Sequence, residues 1–179
     1  MKTLVVHPYD ESTLELEKVY AGHSVDVLHR EDLSRKDVEA ALFTGHYDRI
    51  ILLGHGTEYG LYNMKTGKYV FDLGTFKNNV LPRKIEVIGI WCHANIFFID
   101  ADNLDRVFYT GMFVSEMREA QQYGLKATEK EVTAQFRKFS KILNTAAFLP
   151  MEEIRPYVEK KYTGKDEVTK FNRECFGFE

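Results

Sequence analysis

Two side chains in this sequence have the types and placement for covalent chemistry. They are the imidazole of His55 and the thiol of Cys92, 37 residues further along. A thiolate is a strong nucleophile, and a neighbouring imidazole can take the thiol proton and later deliver it to a leaving group. Such a pair attacks a carbonyl carbon and passes through an acyl intermediate. Gly56 follows the histidine directly, and a residue without a side chain lets the backbone approach a ligand closely.

Each of the two groups closes an apolar run. Ile50-Ile51-Leu52-Leu53-Gly54 leads into His55, and Val87-Ile88-Gly89-Ile90-Trp91 leads into Cys92. Both runs are too short for a helix core and rich in β-branched residues, so both read as buried strands of a parallel sheet. Open α/β sheets gather their reactive groups at the carboxyl ends of the strands. If these two strands are neighbours, imidazole and thiol stand at one rim.

The rest of the chain reads as the frame for that rim. Residues 4–6 are a first strand, and Leu14, Leu16, Val19 and Tyr20 mark a short helix closed by Gly22. Residues 25–28 are a second strand. Ser34 with Asp37 caps a helix whose buried stripe is Val38, Ala41, Leu42 and Phe43, before the third strand at 49–54. Strands alternating with helices predict βαβ units. Residues 57–72 break the rhythm with a β-hairpin turning at Gly67, which forms one wall of the crevice. A short helix over 73–80, a fourth strand ending at Cys92, a helix over 97–104 and a fifth strand over 107–114 follow. The last third, about 126–179, reads as helical. Thr128 and Glu131 make a capping box ahead of Val132, Phe136, Phe139, Ile142 and Leu143. Pro150 opens another helix, through Ile154, Tyr157 and Val158 to Gly164. The expected architecture is α/β: a three-layer sandwich with a mostly parallel sheet, a hairpin insertion and a helical C-terminal region, all in one domain over 1–179.

The text "IILLGHG" and "VIGIWCHA" resembles the caspase-like cysteine peptidases, the group of caspases, metacaspases, clostripain, gingipains and separase. The resemblance covers about residues 1–125. Ile90 and Trp91 stand where that family often has polar and small residues, and His93-Ala94 where caspases have Arg-Gly. The resemblance implies a cysteine endopeptidase in which His55 is general base and acid and Cys92 the nucleophile. It also implies an oxyanion hole from the N–H groups of Gly56 and Cys92, with no metal or organic cofactor. The loop after the first strand shapes the specificity pocket in that family. Asp10 lies there, and Glu116 and Glu119 lie just past the fifth strand at the same rim, so Asp10 and, second to it, the two glutamates are candidates to bind a basic substrate side chain. Asp10 also reads as a helix cap, and the glutamates as charges at a helix N-terminus.

Two rival functions stay open. A hydrolase related to class I glutamine amidotransferases would pair Cys92 with His93 on a sharp turn. A non-catalytic caspase-like module would keep the scaffold for interaction or sensing. A phosphatase is disfavoured because no Arg follows Cys92 to hold a phosphate. Cys92, His93 and His55 lack the usual zinc-ligand spacings. His7, His23, His29 and His46 read as ordinary polar positions, and Cys175 as structural or exposed. Net charge is −3 with both signs interspersed, so nucleic acid is not an expected partner. The chain opens straight into a strand and has no long apolar stretch, so a cytoplasmic protein clear of the membrane, acting on a peptide or protein substrate, is expected.

Overall fold

The computed structural model of the chain describes residues 1–99 and 106–176. In chain order its strands are β1 (Thr3–Val6), β2 (Asp26–Leu28), β3 (Arg49–Leu53), β4 (Gly56–Thr57), β5 (Gly60–Asn63), β6 (Lys68–Asp72), β7 (Glu86–Ile90) and β8 (Val107–Tyr109). Five of them form one sheet in the order β2-β1-β3-β7-β8, with every neighbouring pair parallel. The fold is therefore α/β on a parallel sheet.

Residues on one face of this sheet are Leu4, Val6, Ile50, Leu52 and Val87; those on the other are Val5, Ile51, Leu53, Ile88 and Ile90. That is the two-residue period of a strand, with both faces apolar because both are covered. The first face is covered by α1 (Arg35–Thr44), by α3 (Ala94–Ile99) and by the segment Leu73–Arg83. That segment begins as the short helix α2 (Leu73–Thr75) and widens to a π-turn at Phe76–Val80. The second face is covered by a 3₁₀ helix (Glu11–Val19) and by three C-terminal helices. These are α5 (Glu129–Ala146), α6 (Met151–Lys161) and α7 (Glu167–Cys175), the last reaching this face only through Phe176 at its end while its Val168 packs with Ala120 and Val132. A short helix, α4 (Met117–Gln122), joins β8 to α5. No described helix is long and apolar enough to cross a membrane.

Local signals explain the helix starts. Ser34 and Asp37 make a capping box at α1, as Thr128 and Glu131 do at α5. Along α5, Val132, Phe136, Phe139 and Leu143 are buried at helical spacing. The hairpin is β5 with β6, and β4 adds a third antiparallel strand from the residues just past His55.

The register of the two central strands is pinned at their start. Arg49 is 1 % exposed. It donates from Nε and Nη2 to Glu86 and from Nη1 to the carbonyl of Ala147. Arg49 is paired with Glu86 across β3 and β7, so this ion pair sets their alignment from the amino end.

Two expectations are corrected. Phe43 is 75 % exposed rather than buried; on α1 Val38 and Leu42 are buried, four residues apart, Ala41 packs partly against the same core, and Phe43 is turned one position past them. The fifth strand stops at Tyr109 instead of running to 114. Thr110 still donates to Gly89 O, but its carbonyl accepts from Asn95 N–H and Gly111 N–H turns to Cys175 O. The chain is thereby led off the sheet. The helix expected over 97–104 is α3 as far as Ile99, and its remainder lies outside the described residues.

Candidate functional site

Leu53 and Ile90 face each other as the last pair of β3 and β7. His55 and Cys92 each stand two residues beyond that pair, at the carboxyl edge of neighbouring parallel strands. The ladder continues one step further, since Gly54 N–H donates to Ile90 O at 3.1 Å. A narrow cleft of about 30 Å³ is lined by both candidates, together with Thr13, Phe113, Ser115 and Glu119. That volume holds roughly one water.

The segment carrying His55 is fixed to the segment carrying Cys92 by Trp91. Its Nε1–H donates to Thr57 O at 3.0 Å, and its indole lies over Gly56. A side chain at Gly56 would meet Trp91 Cδ1 at 2.1 Å and Gly60 O at 2.7 Å. The carbonyl of His55 accepts from Tyr62 N–H at 2.8 Å. On the other side, Trp91 O accepts from Ala94 N–H and from the hydroxyl of Thr110. His93 takes a left-handed conformation with φ 66°, so the chain turns sharply straight after Cys92. Non-glycine residues in that region concentrate at functional turns.

The His55 ring is held from outside the cleft by the loop after β1. Its Nε2 lies 2.7 Å from Ser12 Oγ and 3.4 Å from Asp10 Oδ1. Asp10 also accepts from Ser12 Oγ–H at 2.6 Å and from Ser12 N–H at 3.0 Å, capping the 3₁₀ helix. Burial would raise the Asp10 carboxyl, but the hydrogen bonds from Ser12 and the nearness of His55 hold it below the usual range. Behind this loop, His7 is fully buried and bonded to Thr13 Oγ1 and Tyr20 Oη. Its ring packs 4.6 Å from that of His29. Burial and then the His29 charge push the His7 pKa down to about 3. His7 is thus a neutral core histidine rather than an ordinary polar end.

Cys92 sits in apolar and acidic surroundings. Burial first, then Glu119 and more weakly Glu116, push its thiol up to about 11; the backbone N–H groups of Phe113 and of Cys92 itself pull the other way. The resting sulfur is a protonated thiol, not a thiolate. Glu116 and Glu119 form the capping box of α4, and Glu119 Oε2 accepts from Ser115 N–H and Glu116 N–H. Cys175 lies at the end of α7 beside a separate cavity, and burial raises its thiol to about 11 as well.

His55, Cys92 and Glu119 therefore line one cleft, with Asp10 behind the His55 ring and Glu116 at the α4 cap. Gly56 and the 57–72 hairpin expected to wall the crevice are not among its lining residues, that place being taken by Trp91 and by Phe136 and Phe139 of α5. Ser12, Thr13 and Phe113 were not singled out by sequence. The one local signal for the first two is the polar run Asp10-Glu11-Ser12-Thr13, whose residue types favour turns. Among the described residues no group of three or more His, Cys, Asp or Glu side chains is arranged to hold a metal ion. No protein-family model matches this sequence, and no curated protein matches it either.

Proposed function

We propose that the protein is a caspase-like cysteine hydrolase that cleaves peptide bonds through an acyl-enzyme. The observation that carries this reading is the placement of His55 and Cys92 two residues past the paired ends of β3 and β7, lining one cleft. His55 takes the Cys92 proton as the sulfur attacks the substrate carbonyl, and returns it to the leaving amine. Because the thiol starts protonated, this transfer accompanies attack. The N–H groups of Gly56 and Cys92 are assigned to the oxyanion, each worth about 3 kcal/mol in the transition state. Glu119 lines the cleft and Asp10 does not, so Glu119, with Glu116 beside it in the α4 capping box, is assigned to a basic substrate side chain. The test is a fluorogenic peptide panel on the wild type, Cys92→Ala and His55→Ala. Cleavage lost in both variants is expected; cleavage retained in either overturns the dyad.

A second reading, a non-catalytic caspase-like module, draws on the small cleft and the elevated thiol pKa. It predicts no turnover of any peptide and no change in Cys92 reactivity when His55 is replaced.

A further inference from the structure

We infer that Asp10 and Ser12 are positioning residues that fix which nitrogen of His55 serves as the base. The inference rests on the dyad reading above for its consequence, but its geometry stands alone. Ser12 has one hydroxyl hydrogen. Asp10 Oδ1, 2.6 Å away, accepts it. The hydroxyl oxygen then has only lone pairs to offer the ring, and at 2.7 Å from His55 Nε2 it accepts a hydrogen from that nitrogen. Asp10 itself, 3.4 Å from the same nitrogen, favours a hydrogen there too. Nε2 carries the proton, and Nδ1 is left with the free lone pair.

Three consequences follow in order. Nδ1 is the atom that receives the Cys92 proton: the S–H bond breaks, the new N–H bond makes an imidazolium, and the negative charge passes to sulfur for attack. Nε2–H keeps its hydrogen throughout and points its growing positive charge at Ser12 and the Asp10 carboxylate. Ser12 is excluded as a nucleophile despite its short contact with a histidine. Its hydroxyl hydrogen is engaged in a hydrogen bond to Asp10, and the carboxylate approaches the same ring nitrogen instead of supporting the opposite one as a serine triad requires. An ionised Asp10 at neutral pH agrees with the hydrogen bonds that hold its carboxyl low.

The direct measurement is the tautomer of His55 in the full-length protein labelled with ¹⁵N-histidine, recorded at pH 8. His55 signals are identified by their loss in His55→Ala. A single Nε2–H tautomer is expected in the wild type, with the two ring nitrogens widely separated in shift. In Ser12→Ala and in the double variant Asp10→Ala/Ser12→Ala the second tautomer enters and the separation narrows, while Ser12→Thr restores it. The His23 ring, bonded to Asn144 O and stacked on Phe148 at the far end of the 3₁₀ helix, reports that each variant is folded. A wild-type proton on Nδ1, or a spectrum that neither Ser12→Ala nor the double variant alters, overturns the inference. Failure of the dyad reading shows elsewhere, as Cys92 alkylation by iodoacetamide that His55→Ala leaves unchanged.

Discussion

Gly56 and Trp91 are in contact at a distance that admits no side chain: a methyl at Gly56 would lie 2.1 Å from the indole Cδ1. This contact joins the strand end that delivers His55 to the one that delivers Cys92. Gly56→Ala is expected to cost about 1–3 kcal/mol, the range for forcing extra carbon into a packed site. The backbone oxygen of Gly60 leaves no room on the other side. Urea unfolding measures it, and an unchanged midpoint would show that β4 can swing away freely.

The acidic wall of the cleft gives a signed expectation for the thiol. Glu119 is the largest charge raising Cys92, after burial. Glu119→Gln should lower the thiol pKa and speed iodoacetamide alkylation of Cys92 severalfold between pH 7 and 9, because the thiolate fraction sets the rate. Cys175 should be unaffected in the same digest. Slower labelling of Cys92 in this variant would mean that Glu119 acts on the sulfur by packing alone.

His7 makes a prediction about acid stability. Folded His7 stays neutral down to about pH 3, whereas the unfolded side chain takes a proton below about 6.5. The unfolded state therefore binds more protons over that window. Stability is unaffected above pH 6.5 and falls below it, at up to about 1.4 kcal/mol per pH unit from this group. Urea midpoints measured at pH 7, 5.5 and 4.5 should decline in the wild type and decline less steeply in His7→Gln. Parallel slopes would assign the acid sensitivity to other groups.

If the dyad turns over peptides, residues before the scissile bond should be Arg or Lys. Glu116 and Glu119 surround the sulfur with negative charge, and an acidic substrate side chain there meets like charge. The peptide panel repeated on Glu116→Ala and Glu119→Ala should weaken that preference. Cleavage after Asp would place the pocket elsewhere.

The legible part of this molecule is the part governed by periodicity. The runs before His55 and Cys92 are apolar throughout because both sheet faces are covered, and that pattern alone marked them as buried strands of a parallel sheet; that they are neighbours is seen only in the pairing of β3 with β7. The illegible parts depend on contacts distant in sequence. Residues 107–114 read as one strand, yet Gly111 is pulled toward Cys175 O, 64 residues downstream. No local rule reports that. Ser12 acquires its role from His55, and Phe113 from the sulfur it points an N–H toward, so neither carries a signature of its own. His7 looks like a strand-end polar residue until Thr13 and Tyr20 close over it.

The roof over the site is made after the strands that it covers. Asn144 on α5 donates to the carbonyls of Lys18, Val19 and Ala21, clamping the 3₁₀ helix that carries Ser12 and Thr13. During synthesis the three inner strands, β1, β3 and β7, can pair long before residue 144 leaves the ribosome. Until then Ile51, Leu53, Ile88 and Ile90 present an uncovered apolar face, the kind of surface that chaperones hold and that aggregates at high concentration. The nascent chain is therefore vulnerable through the same interval in which its cleft still lacks the wall that α5 supplies.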